Sequence, residues 1–449
     1  MTPRELADQI CRTLRQSGHQ AYLVGGCVRD LLLGREPSDY DVATDARPER
    51  VQELFPASIT VGARFGVILV TEAGVAEEAA RGGAQVEVAT FRSDIGYSDG
   101  RHPDRVEYSQ SPEEDVRRRD FTINGLLLDP ETGVVLDFIG GREDLRAGLV
   151  RAIGMPALRF REDKLRMVRA VRFAARFGYV IEPATLAAIQ ALAPQVTEVS
   201  AERLRDELTK LLTEGAARRA FELLDQTVLL AVLLPEITRM QGVAQPPQFH
   251  PEGDVWIHVR MMLEKLEPRA SATLAWGVLL HDVGKPPTFR SAEQTGDRIR
   301  FDGHDEIGAR MAVEICRRLR FSTADTEQIE TLVADHMRFK DVSAMRPATL
   351  KRFVRLPRFE EHLELHRLDC LASHGKLDAY EFVQRFLRET PPEQVRPARL
   401  ITGEDLMEMG FRPGPLFKQI LQAVEDAQLD GRLHGHDEAI EFVRAEYKA

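Results

Sequence analysis

Residues 23–41 read LVGGCVRDLLLGREPSDYD. An apolar strand runs into Gly25-Gly26, and a helix opens at Cys27-Val28-Arg29-Asp30. Two glycines at a strand-to-helix turn let the backbone approach a phosphate, and the first N–H groups of the helix point at it. Arg29 falls in the first turn, where its charge opposes the helix dipole, a conflict that an anionic ligand would offset. A tight turn with no ligand needs the same glycines, so the pair does not decide by itself. Asp39 and Asp41 follow at i and i+2, which places both side chains on one face of a strand. Neighbouring carboxylates repel unless a cation lies between them, and Mg²⁺ takes oxygen ligands shared with substrate phosphates. Together these parts describe a site that holds a nucleoside triphosphate for metal-assisted nucleotidyl transfer, with Asp39 and Asp41 as catalytic residues and metal ligands. Glu87, in QVEVATF, is the candidate for a third carboxylate.

Short β-rich runs surround this segment up to about residue 150: AYLVGG, SDYDVAT, SITVG, FGVILVTEAG and QVEVATFR, with helical ARPERVQELF between them. From near Arg159 amphipathic helical patterns dominate. The fold class is therefore an α/β N-terminal domain followed by an all-α body. QGVAQPPQFHPEG at 241–253 reads as a connector, and RSAEQTGDR at 290–298 as a surface loop. The expected division is 1–150, 151–240, 250–375 and 376–449.

The 449 residues are 43% hydrophobic and 29% charged, which excludes a disordered or collagen-like chain. No run of about 18 apolar residues is present, so neither a membrane span nor membrane partners are expected. MTPRELADQICRTLRQSG lacks the apolar core of a signal peptide and reads as an amphipathic helix. Four scattered cysteines without a CxxC pair fit a reducing, cytoplasmic setting. The net charge of −11 argues weakly against nucleic-acid binding, but a whole-chain sum hides a local basic surface. Oligomeric state is left open.

Such a surface is expected at RRRDFTIN (117–124) and RFREDKLRMVRAVRFAARFG (159–178). Arg166, Arg169, Arg172 and Arg176 recur at three, three and four residues, which lines one helix face. Seven basic residues in 159–176 meet only Glu162 and Asp163 as acids, while Val168, Val171 and Phe173 form a face to bury. Stacked like charges destabilise a helix unless an anion or an acid lies opposite, and arginine forks match phosphate oxygens. Phosphate or RNA contacts are the expectation.

The ordered series GGCVRDLLLG with DYD, TFRSDIGYSDGRHP, RRRDFTIN and EDKLRMVRAVRFAAR resembles the class II tRNA nucleotidyltransferase and bacterial poly(A) polymerase family, within the polymerase β-like superfamily. The resemblance covers roughly residues 20–235. It implies that Asp39 and Asp41 hold two metal ions, that Gly26 and Arg29 contact the triphosphate, and that Arg118 and Arg119 contact the nucleotide. It further implies that Asp163 and Arg166 present hydrogen-bonding edges to the incoming base, with phosphate contacts from Arg169 and Arg172. Cytosine and adenine both place an amino group beside a ring nitrogen, whereas uracil and guanine place carbonyl oxygens there. One Asp/Arg pair can therefore accept C and A and reject U and G. Gly125 stands where alanine is usual in the motif.

The implied partners are tRNA, ATP and CTP. CC-adding members are shortened before the RRD motif; residues 90–120 here are full length, so adenylation is expected. The chain's last residues, HDEAIEFVRAEYKA, do not resemble the basic extension of many poly(A) polymerases. A tRNA 3′-end enzyme is preferred, adding CCA or its terminal A, with poly(A) polymerase as the alternative.

A separate series lies further along: His258, His281-Asp282, His304, His336 and Asp369. It resembles the HD-domain metal phosphohydrolases over about 250–375, with His258, His281, Asp282 and Asp369 as ligands and His304 and His336 for a second metal or substrate phosphates. Imidazole plus carboxylate with open positions suits Mn²⁺, Fe²⁺, Co²⁺ or Ni²⁺. A third reading is then an HD phosphohydrolase whose N-terminal domain only binds RNA. An intact DxD argues against it, since a binding module has no need of paired carboxylates.

Overall fold

The computed structural model describes residues 1–61, 66–72, 83–96 and 105–448. Residues 97–103 of the TFRSDIGYSDGRHP motif, and residues 65, 73 and 74 of FGVILVTEAG, lie outside the described residues. The chain falls into two compact units, Met1–Thr238 and Arg239–Ala449.

The first unit opens with the amphipathic helix Pro3–Gln16, which buries Leu6, Ala7, Ile10, Cys11 and Leu14. Its start is fixed by a capping box: Thr2 accepts from the Glu5 N–H, and the Glu5 carboxylate accepts from the Thr2 N–H. The strands are β1 Ala21–Val24, β2 Asp41–Thr44, β3 Ser58–Thr60, β4 Val67–Thr71, β5 Gln85–Thr90, β6 Arg92–Ile95, β7 Arg105–Tyr108, β8 Leu127–Leu128 and β9 Val135–Leu136. Seven of them form a mixed sheet in the order β3-β4-β5-β2-β1-β8-β9. β2 and β5 run parallel, and the other neighbours in that sheet are antiparallel. At the unusual Gly125 an added Cβ would stand 2.5 Å from Ile139 Cδ1 and 3.0 Å from Val116 Cγ1, so alanine here would require those side chains to shift.

Helices follow the sheet. The basic stretch divides into helices Pro156–Glu162 and Leu165–Phe177, with Asp163 extended between them at φ −149° and ψ 106°. The Asp163 carboxylate accepts the Leu165 N–H at 3.0 Å, which satisfies one of the free donors at the second helix's start. Val168 and Val171 are fully buried and Phe173 nearly so, as the apolar face requires.

In the second unit, helix Ala272–Leu280 is apolar all round and buried from Thr273 to Leu280. It ends at His281-Asp282. The turn after it touches the start of helix His304–Arg318 backbone to backbone, because a Cβ on Gly284 would collide with the His304 carbonyl. Helices Val255–Lys265, Thr323–Asp335 and Phe359–Ala372 complete this layer. Residues 401–443 bury a cluster of their own around Leu406, Ile420, Val424 and Val443. The expected loop at 290–298 contains a helical turn, Ala292–Thr295, because Ser291 and Gln294 form a capping box. No helix among the described residues is long and apolar enough to cross a membrane.

Candidate functional site

The nucleotide motif assembles around the end of β1. Gly25 has φ +80°, a left-handed conformation that side chains disfavour, and a Cβ there would meet Arg119 Nη1 at 3.3 Å. The helix begins at Gly26, one residue earlier than expected, and ends at Leu32. β2 starts at Asp41, so Asp39 stands just before the strand and not within it. Alternation still holds across the motif: Tyr40 is 2% exposed, while Asp39 is exposed and Asp41 half-buried.

Asp41 and Glu87 are direct partners across the parallel β2–β5 pair. Partners on adjacent strands share a face, so the two carboxylates stand side by side. Burial raises the Asp41 carboxyl to about 6, helped by the negative charges of Glu87 and Asp39 and opposed by Arg119. Asp41 thus has a neighbouring carboxylate across the sheet and feels the charge of Asp39, and carboxylate oxygens are the donor type that suits a hard divalent cation.

A cleft of about 460 Å³ gathers Gly25, Gly26, Arg29, Asp39, Asp41, Arg118, Arg119, Asp163, Arg166, Arg169 and Arg172. Thus every nucleotide-site residue singled out from the sequence lines one cavity except Glu87, which adjoins it through Asp41. The arginines differ from the expectation of an unopposed basic face. Arg118 and Arg119 both grip the buried Asp115, at 2.6 and 3.1 Å. Arg169 forms a two-bond fork on Asp120, at 3.0 and 2.8 Å. Arg172 reaches Glu207 at 2.8 Å and Glu214 at 3.0 Å, and Arg166 reaches Glu162 at 2.6 Å. The acids Asp120, Glu207 and Glu214 come from other segments, so the local sequence did not show them opposite the basic face. These pairs hold the guanidinium planes in fixed orientations around the cleft.

Arg29 is buried, donating to Asp30 at 2.8 Å and to Asn124 at 2.6 Å. Asp163 accepts from Arg203 at 2.7 Å. Asp115, Asp120, Asn124 and Arg203 were missed from the sequence. Asp115 left a signal in its spacing, three and four residues before Arg118 and Arg119, which is helical pairing distance; Asp120 and Asn124 lie inside the RRRDFTIN motif, and Arg203 left none.

The second constellation also converges. His258 Nε2 lies 3.1 Å from Asp369 Oδ1, and His281 Nε2 lies 3.2 Å from Asp282 Oδ2. The Nε2 atoms of His304 and His336 are 3.2 Å apart, each 3.8 Å from Asp282 Oδ1. Nδ1 of His281, His304 and His336 lies 3.0, 2.8 and 2.7 Å from the carbonyls of Val278, Phe301 and Val333. A carbonyl only accepts, so these Nδ1 atoms carry the protons and the Nε2 lone pairs are free. Two lone pairs 3.2 Å apart in a buried site repel unless a proton or a metal ion is shared there, and with Asp282 they form a group that could hold a metal ion. Burial, with His281 and His304 adding to it, lowers His336 to about 4, so neutral imidazole is the resting form. The donor set therefore fits a transition metal.

The supposed connector supplies part of this centre. Glu252 Oε1 lies 2.7 Å from His258 Nδ1, and His250 Nδ1 lies 2.9 Å from the same oxygen. Lys285, buried, bonds Asp282 at 2.7 Å and the Gln245 side chain at 2.6 Å. Residues 241–253 therefore do more than link: Gln245 is 2% exposed and belongs to the second unit's interior.

Comparison with known proteins bears on the whole chain. Residues 21–151 match the model of the Poly A polymerase head domain, and 178–241 match the "Probable RNA and SrmB- binding site of polymerase A". Residues 254–372 match the HD domain, and 396–443 match tRNA nucleotidyltransferase domain 2. The CCA-adding enzyme of Levilactobacillus brevis is 30% identical over 445 residues, covering 97% of this chain and 96% of that protein. The chain belongs to the CCA-adding enzyme family. The family member from Geobacillus stearothermophilus is 45% identical over 231 residues, a match covering 51% of this chain and 55% of that protein. The crystal structure of the Bacillus stearothermophilus CCA-adding enzyme in complex with CTP aligns with a TM-score of 0.74 at 28% identity, over 99% of this chain and 98% of that one. The Thermotoga maritima CCA-adding enzyme complexed with tRNA, 20% identical with a TM-score of 0.58, covers 99% of this chain and 95% of that one and shares the fold.

Proposed function

We propose that this chain adds CCA, or its terminal A, to tRNA 3′ ends from CTP and ATP without a nucleic-acid template. The observation that carries the reading is a single cleft joining the Asp39/Asp41 pair to fixed arginines and to the base-reading candidates Asp163 and Arg166. Asp39, Asp41 and Glu87 would hold Mg²⁺, which when bound supplies charge neutralisation at the reacting phosphate and lowers the pKa of the attacking hydroxyl. The chain's own side chains do the rest. Arg29, Arg118, Arg119, Arg169 and Arg172 surround the triphosphate, and their carboxylate partners keep them in place before it arrives. Asp163 accepts from the exocyclic amino group of C or A, and Arg166 donates to a ring acceptor. The working division is a head at 1–150, a nucleotide- and RNA-binding part at 151–240, an HD part at 250–375 and a tail at 376–449, in line with the four matched family models.

The convergent histidines favour a second activity, a metal-dependent phosphohydrolase that trims terminal or cyclic phosphates from RNA ends. His258, His281, Asp282 and Asp369 would hold a metal such as Mn²⁺, Ni²⁺ or Co²⁺, with His304 and His336 at a second position. Incubation with Mg²⁺, labelled CTP or ATP and tRNAs ending in N, NC and NCC tests the first reading. Addition to all three is CCA synthesis, and addition of A to NCC alone is A-addition. No addition to any of them refutes the proposal.

A further inference from the structure

At the edge of the cleft, three guanidinium groups gather on the ring of Phe177, the last residue of helix Leu165–Phe177. Arg29 lies 4.5 Å from the ring centroid, Arg35 5.2 Å and Arg176 5.4 Å. Phe173, one turn earlier, stacks on Phe177 with centroids 6.3 Å apart and planes 14° apart. Like charges around one ring repel, and carboxylates offset two of the three. Arg29 has Asp30 at 2.8 Å, and Arg176 reaches Glu214 at 3.6 Å. Arg35 has no carboxylate partner among the described residues, and it is exposed.

Arg35 is nonetheless held at two points. Its N–H donates to the Asp30 carbonyl at 2.9 Å, closing the end of helix Gly26–Leu32, and its side chain lies over Phe177. A guanidinium over an aromatic ring can still offer its N–H groups to phosphate oxygens, and Arg35 is exposed to solvent. Arg29 and Arg176 line the cleft wall, whereas Arg35 stands outside it.

We propose that Arg35, steadied by Phe177 beside Arg29 and Arg176, binds a substrate phosphate at the mouth of the cleft. Two substrates carry that chemistry, the RNA acceptor strand and the nucleoside triphosphate. The place of Arg35 outside the cleft wall favours the RNA strand. Arg35 is then a binding residue and Phe177 a positioning residue that acts through it. The inference rests on the nucleotidyl-transfer reading.

The experiment measures tRNA binding against salt concentration for the full chain, Arg35→Ala, Arg35→Lys, Phe177→Leu and Phe177→Tyr, together with KM for ATP and CTP. One phosphate contact to single-stranded RNA contributes about 0.7 to the slope of log K against log[salt]. Arg35→Ala is expected to lower the slope by about that amount, and Arg35→Lys to retain most of it. Phe177→Leu should lower it although Arg35 is intact, and Phe177→Tyr should not. An unchanged RNA slope with KM for ATP and CTP raised together would place the same phosphate contact on the triphosphate. An unchanged slope and unchanged KM in Arg35→Ala would overturn the proposal. Failure of the wild-type chain to extend any tRNA would instead overturn the parent reading, because the salt slope is read from binding alone.

Discussion

Asp163 illustrates how one residue carries several demands. It interrupts the basic stretch, caps the helix beginning at Leu165 and accepts from Arg203, all beside the nucleotide cleft. Replacing it with alanine removes a half-buried acceptor, a loss of about 1–3 kcal/mol, or roughly 5- to 150-fold. Asp163→Ala is expected to relax discrimination against UTP and GTP by a factor in that range, while KM for ATP and CTP changes less. Unchanged selectivity with KM raised for all four nucleotides would assign Asp163 to general structure. Asp120 makes the complementary case for stability. Burial penalises its charge, but Arg169, the Asn124 amide and Arg166 hold the carboxyl down at about 2. A depressed carboxylate stabilises the fold above its unfolded pKa near 3.8, and the effect fades as pH falls toward 2. Asp120→Asn is thus expected to destabilise the chain by roughly 2 kcal/mol at pH 7, with the deficit shrinking below pH 4. Denaturant melts at several pH values measure this; a pH-independent deficit would contradict it. The ligand types were legible at this scale because DxD, RRD and HD carry their chemistry in adjacent letters. Partners from distant segments, such as Glu207 against Arg172, were not, because no local pattern records a contact made by folding.

Among elements, the strand-to-helix turn at Gly25 is the most constrained. Its positive φ and the nearby Arg119 leave no room for a Cβ without strain or movement of that arginine. Gly25→Ala is expected to cost roughly 1–2 kcal/mol in backbone strain and to lower nucleotide addition at least tenfold by displacing Arg119. A thermal melt and a rate measurement on one preparation check both parts; a wild-type rate would show that the turn tolerates the change. Periodicity revealed the strands and most helices, since alternation and 3.6-residue spacing are written locally. It did not reveal the break at Asp163. Nor did it reveal that residues 241–253 fold inward: Pro and Gly mark an irregular path, but not whether that path is solvated or packed on a centre. Glu252 was hidden for that reason, although it stands six residues before His258.

On the scale of the whole chain, two centres occupy two compact units, Met1–Thr238 and Arg239–Ala449. Their chemistry should be separable. His281→Ala or Asp282→Ala is expected to abolish turnover of 2′,3′-cyclic nucleotides or phosphate monoesters in Mn²⁺-, Ni²⁺- or Mg²⁺-loaded protein, and to weaken metal retention, while nucleotide addition continues. No turnover by the wild-type chain with any of these metals would make the histidine cluster structural. The order of the motifs made the overall plan legible, α/β first and helical afterwards, because each part announces itself in a separate stretch of sequence.

Asp39 and Asp41 are expected to carry metal-assisted nucleotidyl transfer in the Arg-lined cleft. The most direct test is single-turnover addition of labelled AMP to a tRNA lacking only the terminal A, comparing wild type with Asp41→Asn in Mg²⁺, with tRNA binding measured alongside. Electrostatic stabilisation of the transferring phosphate is a main term in such reactions. The expected result is a rate lower by several orders of magnitude with tRNA binding retained; a near wild-type rate would contradict the account.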